Sequence, residues 1–571
     1  MTGLKQYTEQ LFPLLKSLKH YDRTTFRGDL IAGLTVGIML IPQGMAYALI
    51  AGLPPEYGLY AALVPLVIYA FMGTSRHLAV GPVALVALLV ASAVSPLADS
   101  PDEYIALSIL LALMVGAIQL LFGLLKLGFL VNLLSHPVLS GFVSAAAIVI
   151  GLSQLHHLLG VESVSGGLHE ILYGISIQVD QIDLWTLALG IAGIGLIVYF
   201  KKKLPAIPGP VLAVVAGIVL IYFSGLERAG VAIVGDLSAG IPSFSVPVID
   251  WDTLLTLFPM ALAIALVAYM EAIAVAKAIQ QKSKTYQVDP NQELVALGAA
   301  NIGGAFFQSF PTTGSFSRTA VNYSSGGKTG VSSIFSALTV ALTLLFLTPV
   351  FYYLPTAILA AIIMVSVFGL IEFDEIKRLW KLGHYDRYML LATFAGTLFI
   401  GIKEGILLGV TLSVIMLLYR SARPNHVVLG RIPGTSIYRN INRYDTEQQP
   451  DIMIFRFDAP LHFANAEYFK DQVYDLLLAN PEATCLILDL NGVNEIDSTG
   501  LDQLVEVIES LENNGVSVQL AEAKAAVRDL IKSGTGHDKK WKFYMTIEDA
   551  VIATTDKKMR SEEEYSIHTD N

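Results

Sequence analysis

The sequence predicts a polytopic α-helical membrane protein of fourteen spans followed by a small cytosolic α/β domain. Three observations lead there. The 571 residues are 54% hydrophobic and only 15% charged, with a mean hydropathy of +0.59, outside the range of soluble globular chains. Apolar stretches of about 17 to 25 residues, enough to cross a ~30 Å hydrocarbon core, recur from Asp29 to about Arg420. Beyond that the pattern changes to short alternating runs, "DIMIFRFDAPLHF", "ATCLILDLNGV" and "VSVQLAEA", read as strands. Between them "NAEYFKDQVYDLLLAN" and "LDQLVEVIESLENN" have the spacing of amphipathic helices.

In order along the chain, residues 1–28 form a polar N-terminal segment and residues 29–421 the membrane domain. Residues 422–448 read as a linker, 449–556 as the α/β domain and 557–571 as a disordered tail. The fourteen spans start near residues 29, 56, 78, 105, 129, 184, 208, 253, 290, 315, 330, 353, 386 and 403. No short apolar core with a small-residue cleavage site precedes the first span, so that span is expected to direct insertion. Lysines and arginines collect before the first span and after even-numbered ones, at Arg76, Lys126, Lys201 to Lys203, Lys282, Lys284 and Lys377 to Lys381. The opposite loops, such as Asp99 to Glu103, carry acids. Positive charge stays inside, which puts both termini in the cytoplasm of a cell whose inner or plasma membrane holds the chain. The formal net charge of −11 argues against nucleic-acid binding. One cysteine, Cys485, excludes an internal disulfide and reads as a small buried hydrophobe.

Two charges sit where charge is costly. Arg318 lies in "FPTTGSFSRTAVN" between long apolar runs, and an arginine at membrane depth costs ~2.5–3.5 kcal/mol on insertion scales. It either marks an anion path, snorkels to an interface, or is locked in a static ion pair. Glu271, in "LVAYMEAIAVAKA", is a carboxylate with apolar neighbours on its N-terminal side, and Arg318 or Lys277 would be its structural partner. Glu293 and Glu404 fall near span starts, where an acid complements or caps a helix N-terminus. No phosphate loop, metal-binding cluster or nucleophilic triad is present to suggest an enzyme. His156 and His157 are adjacent and are not expected to share a helix face.

The stretch "IPQGMAYALIAGLPPEYGLYAALVPLVIYAFMGTSRHLAVGP" resembles the sulfate permease family, also called solute carrier 26. A second family region matches "NQELVALGAANIGGAFFQSFPTTGSFSRTAVN", and "DLNGVNEIDSTGLDQL" resembles the STAS domain that such transporters carry at the C-terminus. The resemblance implies two inverted seven-span repeats, roughly 29–223 and 253–421, forming UraA-like core and gate bundles. Its third and tenth spans are interrupted, a short strand leading into a half-helix. "LAVGPVAL" puts Gly81 and Pro82 at such a helix start, and "PTTGSFSRTA" offers Gly314 as a flexible approach with Ser315 and Ser317 as N-cap candidates. The two half-helix N-termini would then aim at one point and bind an anion.

By position in the matching motifs, the resemblance implies substrate contacts from Gln43, Tyr47, Val83, Ala84, Ser317 and Arg318, and cation coupling through Glu271. It also implies a homodimer. Ser498 in "DSTG" is either a phosphorylation site, open to a regulatory protein, or an N-cap. The expected function is proton-coupled sulfate uptake by an elevator motion, with no cofactor. Importing a divalent anion against 100 mV costs about twice 2.3 kcal/mol, so a driving ion is needed: protons first, sodium second. Alternatives are a sodium-coupled bicarbonate importer, an anion exchanger, or a receptor signalling through the STAS domain without transport.

Overall fold

The computed structural model describes residues 11–19, 21–129, 135–162, 168–204, 208–369, 371, 373–382, 384–534 and 541–556. The expected tail, 557–571, lies outside them. The chain divides into two compact units at Ser413 and Val414, within the last apolar helix.

The first unit follows the expected order of spans. They are α1 (Arg23–Ile50), α2 (Val64–Met72, led by a turn of helix at Pro55–Tyr60), β1 (Val80–Gly81) with α3 (Ala84–Val94), α4 (Pro101–Leu124), α5 (His136–Ser153), α6 (Leu184–Lys203) and α7 (Gly209–Ser224). The second set is α8 (Trp251–Ser283), α9 (Pro290–Ala305), β2 (Thr313–Gly314) with α10 (Phe316–Ser324), α11 (Val331–Leu342), α12 (Thr356–Phe368), α13 (His384–Ala395) and α14 (Ile402–Ala422). Among the described residues nine helical stretches are individually long and apolar enough to cross a bilayer. The interrupted spans are not. With 11 and 9 residues, α3 and α10 rise about 16 and 14 Å, half a hydrocarbon core.

Elements of the two sets pack on each other. In the core bundle α4 lies on α9, α11 on α1 and α9 on α2; in the gate bundle α13 lies on α5 and α12 on α6. Without water to drive helices together, small residues let backbones meet. A Cβ at Gly116 of α4 would stand 2.8 Å from the Gly298 carbonyl oxygen of α9, and one at Gly298 would stand 2.8 Å from that of Gly116.

Two buried carboxylates fasten this bundle. Asp29 accepts from the backbone N–H of Lys328 (2.6 Å) and Thr329 (3.0 Å), joining α1 to the turn before α11. Glu293, expected to complement its own helix N-terminus, reaches away from it. It accepts from the Tyr69 hydroxyl (2.6 Å), from Thr74 N (2.7 Å) and Oγ1 (2.5 Å), and from Ser75 N (3.0 Å). The N-terminus of α9 is capped instead by Asp289, which accepts from Asn291 and Gln292. The two adjacent histidines lie in a separate five-residue helix, Leu155–Leu159, with ring centroids 3.9 Å apart.

The second unit is a six-stranded sheet with helices, ordered β4-β3-β5-β6-β7-β8: β3 (His426–Arg431), β4 (Tyr438–Asn440), β5 (Ile452–Phe457), β6 (Cys485–Asp489), β7 (Ser517–Ala521) and β8 (Phe543–Tyr544). Strands β5 to β8 run parallel, β5 to β7 being connected through α15 (Ala466–Ala479) and α16 (Ser498–Asn513); α17 (Ala525–Gly534) follows β7. The expected linker, 422–448, is not one: it supplies β3 and β4, an antiparallel pair that extends the sheet. Cys485 is buried in β6, as its apolar run suggests.

Asp489, 2% exposed at the end of β6, accepts from Asn491 N at 2.9 Å, and burial raises its carboxyl to about 6. A folded-state value above the unfolded one means that the folded domain takes up a proton as pH falls from 7 towards 4, and is stabilised over that window. Asp489→Asn, which keeps an acceptor for Asn491, should therefore stabilise this unit at pH 7 by up to about 3 kcal/mol and leave it unchanged at pH 4, as measured by thermal unfolding of the full chain.

Candidate functional site

The two short strands determine the geometry. β1 pairs antiparallel with β2, Val80 opposite Gly314 and Gly81 opposite Thr313, the head-on meeting that an inverted repeat produces. Ser315 N donates to Ala79 O (3.1 Å) and Ala79 N to Thr319 Oγ1 (3.0 Å), which fastens the start of α10 to the strand before α3. Helices leaving this ladder from both sides present their N-termini to one region. Val83 is the N-cap of α3 and Ser315 that of α10; neither caps with its side chain, and the Ser315 and Ser317 hydroxyls lie 3.3 Å apart. Pro82 therefore precedes the cap instead of occupying the first helical turn.

A cavity of about 520 Å³ opens here, lined by Gln43 and Tyr47 of α1, Val83, Ala84, Ser317 and Glu271 of α8. Gln43 and Tyr47 are four residues apart, on one helix face, and both are buried. Pro42 sits inside the same helix, freeing one carbonyl of its ladder. Arg318 is not among the lining residues. It is fully enclosed between α1 and β1, with Nη1 3.5 Å from Gln43 Oε1 and Nη2 3.4 Å from where a Cβ of Gly81 would stand. Nε and Nη2 have no hydrogen-bond partner, and neither does Glu271 Oε2; no contact ion pair joins the two residues. Lys277 is exposed, away from that role. A buried guanidinium with two free donors, beside two helix N-termini, is chemically suited to an oxyanion.

The sequence reading missed two groups. The gate bundle contributes Lys201 in the last turn of α6 and Ser366 of α12 to the same cavity; Lys201 had served only as a marker of sidedness. Behind the site, Asn301 of α9 holds the approach to β2. Its Oδ1 accepts from Thr312 N (2.8 Å), and its Nδ2 donates to Thr312 O (3.1 Å) and Gln119 Oε1 (3.0 Å). Gln119 donates to Ala265 O of α8 at 3.2 Å. Only the amide residues in "AANIGG" and "AIQLL", at membrane depth, hinted at this network. Asn301→Ala leaves buried groups unpaired at about 1–3 kcal/mol each, so its thermal unfolding in detergent should fall by several degrees. An unchanged transition would mean that β2 is held without it.

In the second unit, Ser498 is not the cap of α16. Asp497 is, accepting from Gly500 N at 2.7 Å, while Ser498 is exposed at the first helical position.

Paired half-helices that meet inside a two-bundle membrane domain define a secondary transporter of the inverted-repeat class, here carrying a STAS domain. The chain belongs to the sulfate permease family, whose model matches residues 26–393, and the STAS domain model matches residues 443–550. It is 38% identical to sulfate transporter 4.1, chloroplastic, of Arabidopsis thaliana over 573 residues, covering 96% of this chain and 83% of that one. It is 35% identical to high affinity sulfate transporter 2 of Stylosanthes hamata, covering 95% and 86%. Among solved structures it is similar to the murine solute carrier 26 family member A9 anion transporter in the inward-facing state. The TM-score is 0.88 at 26% identity, over 97% of this chain and 95% of that one.

Proposed function

We propose that the protein takes up a small inorganic anion, sulfate in the first place, by proton-coupled alternating access. The observation that carries this is the enclosed Arg318, with two unpartnered donors, held where β1 and β2 bring two helix N-termini to one cavity. Gln43 and Ser317 would contact the anion, Tyr47, Val83 and Ala84 would shape its space, and Glu271 would carry the proton. The relatives named as sulfate transporters support the choice of anion. The cavity is lined by both bundles, which suits an elevator in which the core carries the anion past a static gate. It reaches Lys201 and Gly369 at the ends of α6 and α12, and with those ends cytoplasmic this arrangement would be open inward. The same charge pattern supports a plasma-membrane protein with cytoplasmic termini. The STAS unit would serve homodimer assembly or a regulatory partner, with Ser498 exposed for phosphorylation.

Proteoliposomes given labelled sulfate or bicarbonate, with and without proton or sodium gradients, test this reading. Sulfate accumulation driven by an inward proton gradient is expected. Sodium-driven bicarbonate uptake would replace the substrate and the coupling ion, gradient-independent counterflow would make the protein an exchanger, and binding without flux would make it a receptor.

A further inference from the structure

A second polar cavity, of about 310 Å³, lies at the end of the core bundle that carries the N-terminal segment. It is distinct from the transport site: its walls are the short helix Pro13–Leu18, the loop after α2, the α8–α9 turn and Gly330 before α11. Two cations face it, Lys16 and Arg76, with the hydroxyls of Ser17, Ser75 and Thr285. Among the described residues no acid lines it, and neither cation makes an ion pair. The nearby carboxylates are engaged elsewhere. Glu293, behind the floor, is saturated by Tyr69, Thr74 and Ser75, and Asp289 caps α9. Arg76 is positioned by Tyr286, its guanidinium carbon 5.7 Å from the ring centroid, and Tyr286 is held by His77 Nδ1 at 3.1 Å.

The surroundings place this cavity at the membrane surface. The N-terminal helix is pinned by Leu14, 3% exposed, and by Gln292 Nε2 donating to Leu11 O at 3.2 Å. Its Leu15 and Leu18, with Phe26 at the start of α1, stay 40–46% exposed, an apolar rim continuous with the outer face of α1 at Ile31, Leu34 and Ile38. Apolar residues facing acyl chains with cations beside them are the pattern of interfacial anchors. A cavity of this size takes a headgroup and no more.

The geometry points to a phosphate site: a phosphoryl oxyanion held between Lys16 and Arg76, supplied by the headgroup of an anionic lipid or by a soluble phosphate. Bound there, it bridges the N-terminal segment to the α2 and α8–α9 loops and braces the core bundle at its end. The reading is independent of which anion the protein transports, and binding without flux measurement tests it.

Purified full-length protein in neutral detergent is titrated with short-chain phosphatidylglycerol, with phosphatidylcholine and with inorganic phosphate, following thermal unfolding. Phosphatidylglycerol is expected to raise the transition by several degrees and phosphatidylcholine not to. The K16Q/R76Q double variant should weaken the half-saturating concentration about thirtyfold, the loss expected for two cations near an anionic surface. Thr285→Glu, an exposed substitution that adds a negative charge to the wall, should weaken it too, which keeps the test valid if the double variant unfolds. A charge-matched control, K377Q/K381Q, should retain the full shift. An equal shift from inorganic phosphate alone would assign the site to a soluble anion. Equal shifts from phosphatidylglycerol and phosphatidylcholine, or shifts that survive both K16Q/R76Q and Thr285→Glu, overturn the proposal.

Discussion

Arg318→Ala is expected to abolish anion uptake, lowering kcat/KM at least about thirtyfold, while the protein still inserts, assembles and unfolds cooperatively. The fold-change follows from the site. Truncating the cationic partner of a desolvated charge pair removes about 2–5 kcal/mol, and the cation that lines the cavity wall itself, Lys201, stands in the last turn of α6. Stability should move the other way. Arg318 is 0% exposed and leaves Nε and Nη2 unpartnered, so the unliganded fold bears a desolvation cost that a ligand would offset. Arg318→Met, which fills similar volume without charge, should therefore unfold at the same temperature as the parent or higher and be equally inactive. Sulfate binding, measured by titration calorimetry, should vanish in both. Uptake within threefold of the parent in Arg318→Met would remove the guanidinium from the mechanism, whatever the fold does.

What could be read from the sequence was what short-range physics writes into it. Span length follows from bilayer thickness, so fourteen segments emerged with their order; the glycine and proline of "LAVGP" and the glycine and serines of "TTGSFS" marked the two breaks in helix. The features that escaped depend on partners far apart in the chain. Glu293 looked like a helix-start acid because its own neighbours are an N-terminus, while its donors at Tyr69 and Thr74 are 224 and 219 residues away. Asn301 escaped for the same reason: its partner Gln119 is 182 residues away. The strands at 426–431 and 438–440 lie in "HVVLGRIPGTSIYRN", apolar runs around a Pro-Gly turn within the segment read as a linker. At the STAS loop, of the two roles that the sequence left open for Ser498 the N-cap is filled by the aspartate one residue earlier, which holds the N–H of Gly500.

Glu271→Gln should separate transport from coupling. Glu271 lines the cavity from α8 with Oε2 unpartnered, opposite the enclosed guanidinium, so its charge state alters the field that the anion meets. Ionised, it opposes the anion and competes for Arg318; protonated, it leaves that positive charge to the substrate. Under the proposed proton coupling, acidifying the outside would load proton and anion together, and the higher pH inside would favour release of both. One proton per cycle and one pH unit supply 1.36 kcal/mol, about a tenfold accumulation in proteoliposomes held at zero membrane potential. Glutamine imitates the protonated form permanently. The variant should bind sulfate and exchange internal for external sulfate within about threefold of the parent, yet lose the tenfold accumulation per pH unit and show uptake that no longer varies with external pH. Retained proton-driven accumulation in Glu271→Gln would move coupling to another group. Loss of exchange together with accumulation would instead make Glu271 part of the anion site itself, because a residue that only carries the driving ion is not needed when sulfate moves against sulfate.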